Sequence, residues 1–170
     1  MTIKIRPETV ADRKAIWNVN CVAFESNAEA DLVDALRAGG DASLSLVAEV
    51  DDQIVGHIMF STLQIFTTTG TMTALSLAPM AVLPGHQRRG IGSQLIVAGL
   101  DMCRQRGDLV VVVLGHPQFY PRFGFSAELA KSLESPFGGG EAWMALELVP
   151  DAMTGVTGRV EYAPPFGVLE

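Results

Sequence analysis

The stretch LPGHQRRGIG, from Leu83 to Gly92, places two adjacent arginines and a Gly-x-Gly between a strand-like run and a helix-like one. Upstream, MTALSLAPMAVLP (Met72 to Pro84) reads as a strand. Downstream, Ile91, Leu95, Ala98 and Met102 recur at helical spacing, and Arg104, Arg106 and Gly107 close the run with the charges and glycine that suit a helix C-terminus. LVVVVLG (Leu109 to Gly115) then reads as a strand apolar on both faces. Strand, loop, helix and strand make one βαβ unit, and right-handed crossover makes its two strands parallel.

The loop in that unit is an anion site by construction. The first N–H groups of a helix have no intrahelical acceptor, and the helix dipole adds positive potential. Gly90 and Gly92 allow close approach to the backbone, Arg88 and Arg89 add charge, and Gln87 adds donors. A phosphate or pyrophosphate is the ligand this chemistry selects. Gly85 and Gly90 have Walker spacing, but Ile91 and Gly92 stand where Lys and Ser/Thr are required. The dinucleotide fingerprint fails as well, because Leu95 occupies its third glycine position.

Working outward, TIKIR predicts a first strand. TVADRKAIWNVNCVAF (Thr9 to Phe24) predicts a helix capped by Thr9, and AEADLVDALRAGG (Ala28 to Gly40) a second helix. LSLVAEV and IVGHIMFSTLQIF predict a hairpin around Asp51 to Gln53, and TTTGT turns the chain into the strand at Met72. HPQFYPRFGF (His116 to Phe125) is an aromatic turn and SPFGGG a loop. AWMALELV is a strand, GRVEYA another, and PPFGVLE a tail lying against the surface. The order β-α-α-β-β-β-α-β-turn-β-β implies an α/β (α+β) domain with a mixed, mostly antiparallel sheet, spanning residues 1–170.

The chain has 170 residues, enough for one core. Its net charge of −7 argues against nonspecific nucleic-acid binding, which needs a basic face. No secretory signal and no membrane-length apolar run is visible, so a cytoplasmic protein with no membrane partner is expected. Cys21 and Cys103 sit among apolar neighbours and read as buried hydrophobes, not as a metal pair or reactive thiols.

The stretch Gln87-Arg88-Arg89-Gly90-Ile91-Gly92 resembles the pyrophosphate loop of the GNAT superfamily of N-acetyltransferases. The element order, IRPETVADRKAI and FYPRFGF are similar to that family's first strand and helix and its late Phe-Tyr-x-x-x-Gly-Phe signature. Within it the chain resembles the small bacterial acetyltransferases of the YhbS type. The resemblance implies helices on both faces of the sheet and a splayed pair of parallel central strands. It also implies acetyl-CoA as donor, no metal, and direct transfer of the acetyl group to a primary amine. Relatives are often monomers or homodimers, so the resemblance implies one of these two states without choosing between them.

Carried onto these residues, the resemblance puts a bulge in LAPMAV, as Pro79 independently suggests. Backbone of Met80, Ala81 and Val82 then pairs with pantetheine, and Gln87, Arg88, Arg89, Gly90, Ile91, Gly92 and Ser93 hold the pyrophosphate. Tyr120 becomes the general acid for the departing thiolate. Phe119, Phe123 and Phe125 read as aromatic core. For the base, Glu25 and Glu29 lie in the link between the first two helices, and His116 stands at the end of the apolar strand, where many relatives carry an Asn. His57, in mid-strand, reads as a structural histidine. The other reading of the fold is a non-catalytic acyl-CoA-binding or regulatory module. The acceptor, small molecule or peptide, would be set by residues 24–30 and 135–141, which carry no decodable pattern.

Overall fold

The computed structural model describes residues 2–169. Strand β1 (Ile3–Pro7) lies at one edge of the sheet and pairs antiparallel with β2 (Ala42–Val50). Between them the chain forms α1 (Arg13–Phe24) and α2 (Ala28–Ala38). The helix expected to start after Thr9 begins instead with a 3₁₀ turn at Val10–Asp12. The Asp12 carboxylate accepts the Thr9 backbone N–H and also binds the Arg6 guanidinium, which reaches on to Glu49 of β2. These bonds tie the first turn to the sheet edge.

Strands β2, β3 (Gln53–Thr67) and β4 (Gly70–Val82) form the antiparallel centre. Their side chains alternate as a period of two demands. Ile58 and Phe60 point with Leu46 and Ala48 toward α3 (Ile91–Arg106), which lays down Ile91, Leu95, Ile96, Leu100 and Cys103. Val47 and Met59 point to the other face, where Ile16 of α1 and Leu32, Val33 and Leu36 of α2 cover them. Helices thus cover both faces. The contact of α3 is close enough that a Cβ on Gly99 would meet the Phe60 ring at 2.5 Å.

After α3, β5 (Val110–Leu114) runs parallel to β4, and β7 (Trp143–Glu147) runs antiparallel to β5, giving the order β1-β2-β3-β4-β5-β7. The far half of β3 also pairs with β8 (Gly158–Tyr162). Two short elements have no counterpart in the sequence reading: α4 (Ala127–Ala130), capped by the Ser126 side chain, and β6 (Leu133–Glu134), paired with β8. Both are too short to show a period. The tail, expected against the surface, forms a 3₁₀ segment at Pro164–Leu169 that buries Phe166 beside α2; Glu170 lies outside the described residues.

Candidate active site

The parallel pair β4–β5 is joined only at Leu75↔Val111 and Ser76↔Val112. Beyond that point the strands separate. β5 stays with β7 through Leu114↔Trp143, and the Gly115 N–H continues the pairing onto the Ala142 carbonyl. β4 stays with β3, but with a bulge: β3 advances from Ile58 to Phe60 while β4 advances from Leu77 to Met80. Ala78 and Pro79 occupy the bulge, where the missing proline N–H costs no ladder bond. Residues 77–82 therefore present one strand edge to β3 and leave the other without a strand partner.

A cationic hollow of about 410 Å³ lies at the far end of that free edge, and it includes His86, Arg88, Gly90, Gly92 and Ser93 in its wall. Helix α3 supplies its floor. The first α-helical bond runs from the Gln94 N–H to the Gly90 carbonyl, so the amides of Ile91, Gly92 and Ser93 precede the ladder. Gly90 is the N-cap with φ of 80°, in the left-handed region where glycine carries no steric penalty. Arg88 also has a positive φ, 62°. The exposed Gln87 side-chain amide donates to the Val82 carbonyl at 2.9 Å, which clamps the loop to the end of β4. Arg122 and Phe119 complete the wall, with the guanidinium carbon 5.8 Å from the ring centroid. Arg122 escaped the sequence reading; the signal for it was its place two residues after Tyr120, on the turn that folds back to the loop.

A second cavity, of about 430 Å³, opens where β4 and β5 part. Ser76, Leu77 and Ala78 line one side and Val112, Val113 and Leu114 the other, while Phe137, Tyr162 and Phe166 form an aromatic end wall. Among the described residues, no charged side chain lines it. Phe137 belongs to the loop at 135–141, so that expected segment does reach the split. Phe137, Tyr162 and Phe166 come from three separate segments, and nothing in their local sequence announces that they meet.

Tyr120 starts the 3₁₀ turn Tyr120–Phe123 that follows β5. Its ring is buried against Gly115 and meets Phe119 and Phe125 edge-on at 5.2 and 5.7 Å between centroids. Its hydroxyl makes no hydrogen bond among the described residues. Burial pushes the phenol up to about 12, so it carries its proton at neutral pH.

The base candidates are placed apart from these cavities. Glu25 is exposed and caps α1 in a left-handed conformation, φ 55°. Glu29 sits half-buried in the first turn of α2. The His116 side chain is exposed, and its carbonyl accepts the Phe119 and Tyr120 N–H groups that start the aromatic turn. None of the three lines either cavity.

His57 is fully buried between β2 and α1. Its Nδ1 lies 3.1 Å from Asn20 Nδ2, and its Nε2 lies 2.8 Å from Ser45 Oγ. The Asn20 amide is a donor, so Nδ1 accepts and Nε2–H donates. Burial, helped by the Arg37 charge, lowers the imidazole to about 3. The folded state thus takes up this proton below pH about 3, the unfolded chain below about 6.5. The unfolded state binds more protons between those values, so stability present above pH 6.5 is lost as pH falls through the window, by up to about 1.4 kcal/mol per pH unit. Thermal unfolding measured from pH 7 to pH 5 should show this loss, and H57Q should show a shallower slope.

Among the described residues, no cluster of His, Cys, Asp and Glu is arranged to hold a metal ion, and no helix is long and apolar enough to cross a membrane.

A mostly antiparallel sheet, split around a helix N-terminal anion loop, defines an acyl-transferring fold. The chain belongs to the GNAT acetyltransferase family: the model of the acetyltransferase (GNAT) domain matches residues 4–127. It is 37% identical over 164 residues to the N-acetyltransferase YhbS of Escherichia coli, covering 95% of this chain and 97% of that one. The structure of the Escherichia coli YhbS in complex with CoA superposes with a TM-score of 0.89 at 36% identity, covering 97% and 92% of the two chains. A GNAT family acetyltransferase from Brucella melitensis in complex with acetyl-CoA gives a TM-score of 0.81 at 35% identity, covering 97% and 98%.

Proposed function

We propose that this acetyltransferase binds acetyl-CoA along the free edge of β4 and transfers the acetyl group directly to a primary amine, borne by a small molecule or a peptide. The free edge is the observation that carries the reading. It links an anion cradle at one end to an apolar cavity at the other. Ala78 to Val82 spans about 13 Å of strand, and an extended arm lying along it would run from the anion cradle toward the cavity. Backbone groups of Met80, Ala81 and Val82 pair with the arm, and the loop from Arg88 to Ser93 with Arg122 holds the diphosphate. In the reaction the amine lone pair attacks the thioester carbonyl carbon. The N–C bond forms, the C–S bond breaks, and the ammonium proton leaves to water relayed toward Glu25, Glu29 or His116. Tyr120 protonates the departing sulfur.

No cysteine is placed to carry the acetyl group covalently: Cys103 is buried in the α3 core, and Cys21 lies on α1. Both are free, which fits a reducing cytoplasm. The protein acts as a monomer or homodimer, without nucleic acid or membrane.

CoA release from acetyl-CoA over a panel of amines tests the reading. Turnover on at least one amine supports it; tight CoA binding without turnover on any would favour a non-catalytic acyl-CoA-binding module. R122A should weaken CoA binding about fivefold in calorimetry at low salt, since one charge-assisted phosphate contact is lost. The deficit should narrow as salt screens the exposed guanidinium.

A further inference from the structure

The geometry points to an acceptor whose amine is attached to an aromatic body, seated in the cavity between Phe137, Tyr162 and Phe166, with the amine N–H donated to Ser76 Oγ. This rests on the acetyltransferase reading and names the class of its second substrate. Three features of the cavity support the assignment.

The first is its polarity. At about 430 Å³ it lies in the size range of small-molecule sites. Among the described residues, its walls hold no carboxylate to pair with a second ammonium and no cation to pair with a carboxylate. Burial raises the Tyr162 phenol, so it too is neutral at neutral pH. A polyamine or an amino acid entering here would leave a charge without a partner in an apolar space, which is unfavourable. An uncharged ring incurs no such cost.

The second is the shape of the end wall. Phe137 meets the Tyr162 ring at 4.8 Å between centroids, tilted by 61°, and Tyr162 meets Phe166 at 5.0 Å, tilted by 56°. Three rings set at angles offer both faces and edges, the arrangement in which a further ring finds an edge-to-face partner.

The third is Ser76. The residue is 2% exposed, and its buried hydroxyl has no hydrogen-bond partner among the described residues. A buried hydroxyl without a partner costs free energy unless a ligand supplies one. Ser76 is also the last residue of β4 paired with β5, which puts it at the apex of the split, two residues before Ala78, the end of the edge to which the reading above brings the thioester.

The test compares phenethylamine with putrescine as acetyl acceptors, with acetyl-CoA as donor. Phenethylamine should give a kcat/KM at least about tenfold higher. F137A should raise its KM about tenfold while leaving CoA affinity, measured by calorimetry in the same preparation, unchanged; that affinity also reports that the variant is folded. S76A should lower kcat/KM for phenethylamine severalfold, again with CoA affinity intact. Preference for putrescine, or a phenethylamine KM indifferent to F137A, overturns the assignment. So does a pocket that serves the donor instead: F137A altering discrimination between hexanoyl-CoA and acetyl-CoA with no effect on the amine. If no amine turns over, the acetyltransferase reading falls separately, and calorimetry of phenethylamine on the CoA-loaded protein decides this one. Binding abolished by F137A sustains the aromatic pocket; absence of binding removes it.

Discussion

Y120F should lower kcat by about 10²-fold, within the range a positioned acid contributes, while leaving the KM for acetyl-CoA near the parent value. The phenol must be protonated to act, and burial holds it at about 12. Its alkaline limb should therefore be absent below pH 10. A free thiol, near 8.5, would be the stronger acid, and proton transfer to its thiolate would run uphill. Burial shifts thiols as well: Cys103, in the same core as Tyr120, is pushed up to about 11. A sulfur leaving in apolar surroundings would be raised for the same reason, which would bring the two partners closer to matched. The hydroxyl makes no hydrogen bond among the described residues, so the thermal midpoint of Y120F should stay within about 2 °C of the parent. A steady-state pH–rate profile and a melting curve check both halves. Unchanged turnover would remove Tyr120 from the mechanism and leave the acetyltransferase reading standing.

The second large effect belongs to a residue with no functional group. G115A would place a methyl inside contact distance of the Tyr120 ring, which Phe119 and Phe125 hold from other sides. The Gly115 N–H is also bonded to the Ala142 carbonyl, so the backbone at the end of β5 has little room to yield. Overpacking of this kind costs about 1–3 kcal/mol. The melting midpoint should fall by about 3–10 °C, and kcat should approach that of Y120F as the phenol is displaced. The decisive measurement is the double variant: with Y120F in place, adding G115A should lower kcat little further, because both changes act through one hydroxyl. A full multiplicative loss would show that Gly115 acts by another route.

The parts of this molecule that were legible in the sequence share one property: their signals are local. The helix after LPGHQRRGIG shows its apolar period within sixteen residues, and its start and stop are marked by Gly90 and Gly107. Pro79 marked the bulge because proline lacks the donor a ladder needs, and that consequence is independent of the rest of the fold. The Thr9 cap was visible, but the 3₁₀ turn after it was not, because it depends on Asp12 also engaging Arg6 from β1. The aromatic end wall was invisible for the same kind of reason. Phe137, Tyr162 and Phe166 meet only because β8 pairs with β3 and the tail folds under α2. His57 carried a recognisable signal, an imidazole in an apolar strand. Its partners, Asn20 and Ser45, are 37 and 12 residues away.

The free edge of β4 carries a consequence beyond catalysis. An unpaired strand edge at the rim of a sheet is a template for any passing chain, and proteins blunt such edges with charge, proline or cover. Here the unpaired edge lies inside the sheet, between β4 and β5, and Pro79 interrupts its row of donors. Another polypeptide would have to bring its own side chains into the slot, whereas a slender chain with few substituents need not. The sheet is therefore one strand short at this point, and in the function proposed above the missing strand is supplied by a molecule that is not a peptide. The same incompleteness that would invite aggregation at the surface becomes, once moved indoors, selectivity for slenderness.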